Sequence, residues 1–131
     1  APKQFSRPQS IALDEEGLLW IADSCNHRLQ IVDWRNDEVK HVKTLGRHGR
    51  GPGEFSYPYG IFLAKDCVYV AEYSGHRIQK IDRHGNFLAE WGKPGKGSGE
   101  LNAPWSVVLD SQGMMYAVES GNHRIQRFNI S

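Results

Sequence analysis

The segment GHRIQKI at residues 75–81 has close copies in NHRLQIV at 26–32 and NHRIQRF at 122–128. The copies start 49 and then 47 residues apart. Three histidines admit a shared metal ion, three arginines admit a phosphate, and the recurring spacing admits one structural unit written three times. The surrounding sequence decides among these. FSRPQSIALD (5–14) matches FSYPYGIFLA (55–64) and LNAPWSVVLD (101–110). LLWIADSCNHRLQIVD (18–33) matches VYVAEYSGHRIQKID (68–82) and MYAVESGNHRIQRFN (115–129). A further segment, VKHVKTLGRHGRGPGEF (39–55), matches NFLAEWGKPGKGSGEL (86–101) and has no third copy.

Each unit therefore reads as four short strands, a to d, with repeats at about 5–54, 55–100 and 101–131 of a single segment spanning 1–131. Fourteen glycines and six prolines punctuate runs of Val, Ile, Tyr, Trp and Phe, the mixture expected of short strands and tight turns. No helix-period apolar pattern of useful length occurs, so the expected class is all-β. Four-stranded repeats of this length point to propeller blades, which bury their faces only by stacking on neighbours.

The pattern resembles the NHL-repeat family. The resemblance is carried by P-x-(G/S)-hydrophobic, (W/Y)-hydrophobic-A-(D/E), N-H-R-(I/L)-Q and the G-x-G-E-(F/L) connection, and it covers essentially the whole chain. It implies an NHL-type β-propeller, of which three blades, the last incomplete, are about half of a typical six-bladed ring. A second copy or a segment outside the chain is then expected to complete the ring.

In a propeller, His27, His76 and His123 are related by rotation and sit at the start of strand c, third from the axis. With strands about 4.8 Å apart, they lie too far from one another to share a zinc ion, whose nitrogen ligands sit at about 2.1 Å. No metal is expected. Asp23, Glu72 and Glu119 each precede Arg28, Arg77 and Arg124 by 5 residues, a spacing that suits a carboxylate–guanidinium clamp across the b–c turn. The histidines and glutamines of the triplet are expected to bond loop or neighbouring-blade backbone.

Strand direction sorts the loops onto two faces. The b–c and d–a face collects Arg47, His48, Arg50, Lys93 and Lys96 from the glycine-rich connections, Tyr73 from a b–c loop, and Tyr59 and Trp105 just after the strand-a prolines. Aromatics beside cations can anchor a peptide or stack nucleobases. The connection GRGPGEF lacks the Gly-Lys-Ser/Thr ending of a phosphate loop and precedes a strand. The opposite face, with Asp14, Glu15, Glu16, Asp66 and Asp110, reads as turn residues and unremarkable as a site.

The resemblance implies an interaction platform. Within the family, NHL domains of tripartite-motif proteins bind single-stranded RNA on a basic face, and a lyase acting on peptidyl-hydroxyglycine uses zinc-binding histidines on channel-facing loops. Here His41, His48 and His84 do not converge on the axis, and no nucleophile elbow occurs, so a non-catalytic protein without cofactor is expected. Sixteen basic and fifteen acidic residues leave a net charge of +1, which ranks RNA below a protein or peptide partner. A homodimer completing the ring, or a self-assembling half-propeller without ligand, remains open. No apolar run approaches the roughly 18 residues of a membrane span. The two cysteines, Cys25 and Cys67, fall at opposite ends of their blades and are not expected to pair. Unpaired thiols lean towards a reducing, cytoplasmic compartment.

Overall fold

The computed structural model describes residues 4–130 of the 131-residue chain. The described residues form eleven strands in three antiparallel sheets, with one short 3-10 turn at Ser24–Asn26. The first sheet has the order β1 (Pro8–Leu13), β2 (Leu19–Asp23), β3 (Arg28–Asp33), β4 (Lys40–Leu45). The second repeats it with β5 (Pro58–Leu63), β6 (Cys67–Glu72), β7 (Arg77–Asp82) and β8 (Phe87–Trp91). The third holds β9 (Pro104–Leu109), β10 (Met114–Glu119) and β11 (Arg124–Asn129). Each sheet is one blade of a β-propeller, and the innermost strands β1, β5 and β9 lie side by side.

Strand alternation explains why both faces of the second strand are apolar. Trp20 and Ala22 point one way with Leu29 and Ile31, while Leu19 and Ile21 point the other with Val32. A sheet sandwiched between neighbours has no solvent face, so its strands read as nearly continuous hydrophobic runs. The first seam buries Trp20, Ala22, Leu29, Ile31 and Leu45 of blade 1 against Phe55, Ile61, Val68, Val70 and Ile81 of blade 2. The second seam repeats this with Tyr69, Ala71 and Ile78 of blade 2 against Leu101, Val107, Met115 and Ala117 of blade 3.

Turn chemistry follows the acids. The Asp14 carboxylate accepts the N–H groups of Glu16 and Leu18, and Asp110 accepts those of Gln112 and Met114. Asp82 accepts those of His84 and Asn86. These side chains close the hairpins by mimicking backbone acceptors.

The first strand of every blade carries a β-bulge at one place. Pro8 faces Asp23 but Ser10 faces Ala22, so Gln9 is the extra residue. Tyr59 and Trp105 occupy the same position in blades 2 and 3. A bulge breaks the strict alternation and re-aims the side chain of the inserted residue. Next to the second bulge the blades come closest: a Cβ on Gly60 would stand 2.7 Å from the Ser106 Cα and from the Trp105 carbonyl oxygen.

Candidate functional site

The repeated polar residues form one network per blade. Arg28 Nε donates to Asp23 at 2.8 Å, Arg77 to Glu72 at 2.6 Å and Arg124 to Glu119 at 2.6 Å. The carboxylate and arginine are directly paired neighbours on the second and third strands. The same carboxylates accept an amide N–H from Gln30, Gln79 and Gln126. They also accept a backbone N–H from Ser6, Ser56 and Asn102, which tethers the entry of each blade. Arg77 and Arg124 reach on to the carbonyls of Gly51 and Glu54, and of Gly97 and Glu100. Each glycine-rich connection is thus held by the blade it leads into, which occupies the carbonyls of Gly51, Glu54, Lys96, Gly97 and Glu100.

Burial changes the balance between blades. In the middle blade, desolvation pushes the Glu72 carboxyl up, outweighing Arg77, Gln79 and Ser56. Burial also raises Asp23 and Glu119, but there the hydrogen bonds win and both end below the usual carboxylate value. The difference follows from position, since only blade 2 is covered on both faces.

The histidines join blades. His27 Nδ1 accepts the backbone N–H of Tyr57 at 3.0 Å, and His76 Nδ1 accepts that of Ala103 at 3.0 Å. Both partners of each bond are in the left-handed region: φ is 54° at His27 and Tyr57, 53° at His76 and 52° at Ala103. Tyr57 and Ala103 precede prolines, where helical conformations are disfavoured, so the bond fixes a strained entry into the next blade. Burial pulls both imidazoles below their ordinary value, with His48 adding to this at His27 and Arg50 at His76. Among the described residues no three His, Cys, Asp or Glu side chains group as metal ligands.

Of the residues proposed as a binding surface, the structure gathers three tightly. The rings of Tyr59 and Tyr73 stack at 4.6 Å, and Trp105 meets them edge-on at 4.9 Å and 6.0 Å. Trp105 is exposed, and the tyrosines are half-buried. Burial pushes the Tyr59 phenol up, with Tyr73 adding to it and Arg7 opposing. His48 belongs to a second ring cluster, stacked on His27 at 4.0 Å with Tyr57 edge-on to His27 at 4.5 Å. Arg47 and Lys93 are exposed but face acids of their own loops, Glu54 at 2.8 Å and Glu100 at 3.9 Å. Arg50 and Lys96 are exposed beside His76 and on the loop gripped by Arg124. Tyr57 and Arg7 were not singled out by the sequence; their place immediately before the strand prolines was the signal.

The opposite face differs from its sequence reading. Four of its turn acids, Asp14, Glu15, Glu16 and Asp66, line a crevice of about 460 Å³ between blades 1 and 2, whereas Asp110 lies apart in the turn of blade 3. Its floor is Trp20, whose Nε1 donates to Asp14 at 2.9 Å. Lys43 and Arg83 each lie 5.5 Å from the Trp20 ring centre. Lys43 also donates to the Arg83 carbonyl at 2.6 Å, and Arg83 reaches Glu15 at 3.4 Å. A face read as unremarkable therefore holds an ionic latch across the first seam. Cys25 is half-buried, Cys67 is buried, and neither is bridged.

The sequence profile of a family described as "NHL repeat" matches residues 5–32. The human "NHL repeat-containing protein 2" is 27% identical over 148 residues, covering 95% of this chain and 20% of that protein. "Protein brain tumor" of Drosophila melanogaster is 26% identical over 129 residues, covering 96% of this chain and 12% of that protein. The chain thus spans a fifth or less of these two relatives. Among solved structures, an auxiliary nutrient binding protein from Bacteroides ovatus superposes with a TM-score of 0.72 at 17% identity, over 89% of this chain and 36% of that one. That likeness concerns the fold.

Proposed function

We propose, from the NHL-repeat profile match at residues 5–32 and the NHL-repeat relatives that align along the chain, that this is a non-catalytic platform that binds an extended protein or peptide segment on its b–c and d–a loop face. The observation that carries this reading is the Tyr59–Tyr73–Trp105 cluster. Two of its members sit at strand bulges or beside them on a rigid blade, and the tryptophan is presented to solvent. Rigid aromatics that are pre-positioned lose little entropy on binding and dominate interface energetics. Arg47, His48, Arg50, Lys93 and Lys96 form the surrounding polar rim.

Single-stranded RNA is the rival occupant, favoured by the exposed cations of the two connections. Arg47 and Lys93 already face Glu54 and Glu100, which reduces the charge available to a phosphate backbone. A displayed random-peptide library selected on the protein tests the proposal. Selected peptides should lose about tenfold or more affinity on Trp105→Ala or Tyr59→Ala, the scale of an interface hot spot. Peptides that bind equally well to both variants would remove this site. Oligonucleotide binding that falls steeply between about 50 and 200 mM salt, and is lost when Arg47, Arg50, Lys93 and Lys96 become alanine, would favour RNA instead.

A further inference from the structure

We propose that the crevice of about 460 Å³ at the first seam is a second recognition site, which takes a carboxylate on Arg83 and Lys43 above the Trp20 ring, and that Glu15 fills this place as the chain's own stand-in. The crevice lies on the a–b and c–d turn face, opposite the aromatic trio, and is independent of what binds there. Its volume falls among small-molecule sites, which span roughly 300–1,000 Å³.

The floor suits an anion. Lys43 comes from β4 and Arg83 from the turn after β7, and both cations lie 5.5 Å from the centre of one buried ring. One buried acid, Asp14, answers them only in part. It stands 3.9 Å from Arg83, and its oxygens already accept the Trp20 Nε1–H and two backbone N–H groups.

Glu15 supplies the rest, loosely. Its oxygens lie 3.4 and 3.5 Å from the Arg83 nitrogens, and its side chain is 66% exposed against 17% for Arg83. Charge-assisted bonds close to about 2.7–2.9 Å. The clamps of this chain do so, Arg28–Asp23 at 2.8 Å and Arg77–Glu72 at 2.6 Å. Arg83 Nε is moreover buried and bonds no described residue. A guanidinium held by the Ala64 carbonyl and the Trp20 ring, yet under-bonded to its acid, is preorganised for a carboxylate that fits better. Val42 and Leu18 add an apolar wall for the body that carries it. The rim holds Glu16 and Asp66 together with Lys65 and His84, so selection by charge rests with the floor.

The second seam closes without this arrangement. At the matching positions Tyr69 stands for Trp20, Ala64 for Asp14, Ala89 for Lys43 and Ile130 for Arg83. Ala64 and Ile130 pack into the apolar cluster there, and Trp91 stacks on Tyr69. Lys80 lies 5.8 Å from the Tyr69 ring but comes from the same blade. Joining two blades therefore does not call for paired cations, and those of the first seam are left to meet a ligand.

Butyrate titrated into isotope-labelled protein should shift the NMR signals of the Trp20 Nε1–H and the Arg83 Nε–H, each assigned by substitution, whereas uncharged butyramide should not. Glu15→Gln removes the stand-in from an exposed position, so the fold is kept. It should tighten butyrate about two- to fivefold, the equivalent of one exposed ion pair. Arg83→Gln should abolish binding. An acetylated Leu-Glu-Leu amide identifies the source of the carboxylate: tighter binding than butyrate assigns it to a protein segment, and equal or weaker binding assigns it to a free organic acid. No shift from either carboxylate, shifts from butyramide as large as those from butyrate, or unchanged or weaker binding in Glu15→Gln would each overturn the proposal.

Discussion

Replacing His76 by alanine removes the acceptor of the Ala103 N–H, the bond that sets how blade 3 enters behind blade 2. Ala103 is buried, so water does not take the place of the imidazole. An unmet buried donor costs about 1–3 kcal/mol. Histidine and alanine both carry a Cβ, so the left-handed backbone costs both about the same, and His123→Ala, also at φ 53°, controls for the remaining difference without losing a bond to any described residue. The difference between the two variants therefore isolates the hydrogen bond at about 1–3 kcal/mol. With a urea m-value of about 1–3 kcal/mol/M, His76→Ala should unfold at a midpoint lower than His123→Ala by about 0.3–3 M. His76→Asn should recover most of the loss, since Asn tolerates the left-handed region and its Oδ1 can accept the same N–H. Equal midpoints for His76→Ala and His123→Ala, or no recovery with asparagine, would refute a role for the imidazole as an interblade acceptor. His27→Ala should cost less than His76→Ala, because Tyr57 is exposed and water can replace the lost acceptor.

Acidification should act on the same two bonds. Burial depresses His27 and His76 below their ordinary value of 6.5, so the native state holds fewer protons than the unfolded chain once pH falls under that value. Their contribution is fully present above about pH 6.5 and is lost as pH drops through the depressed native values; urea midpoints that are flat between pH 7.5 and 5 would contradict this. Gly60→Ala should destabilise by about 1–3 kcal/mol in thermal or urea unfolding, because the added carbon meets backbone of blade 3 at 2.7 Å; a neutral result would mean that the innermost strands slide freely. Glu72→Ala should cost about 3–5 kcal/mol by leaving the buried Arg77 with Glu90 as its remaining acid and the buried Ser56 N–H without its acceptor, and Glu119→Ala should cost less because Arg124 is more exposed. Equal losses at the two sites would argue against burial as the cause.

The blades themselves were legible in the chain. Repeats about 48 residues apart, aspartates and glycines at the turns, and apolar runs too short for helices define four-stranded units by local rules that depend on neighbours in sequence. The Asp23–Arg28, Glu72–Arg77 and Glu119–Arg124 pairs were equally readable, since five residues across a short turn place two side chains opposite each other in a hairpin.

Contacts across seams were legible only in kind: the histidines were expected to bond loop or neighbouring-blade backbone, but not at which residues. His27 finds Tyr57 and His76 finds Ala103 through the angle between two rigid sheets, a quantity no spacing along the chain encodes. The bulges at Tyr59 and Trp105 move those side chains off the alternation that sequence patterns assume, and only the registered strands show them turned towards Tyr73. The Trp20 crevice escaped for the same reason: Lys43, Arg83 and Asp14 come from three separate turns and strands, and they meet only once two blades are stacked. Local periodicity writes the blade, whereas the relative rotation of packed blades decides which side chains share a surface.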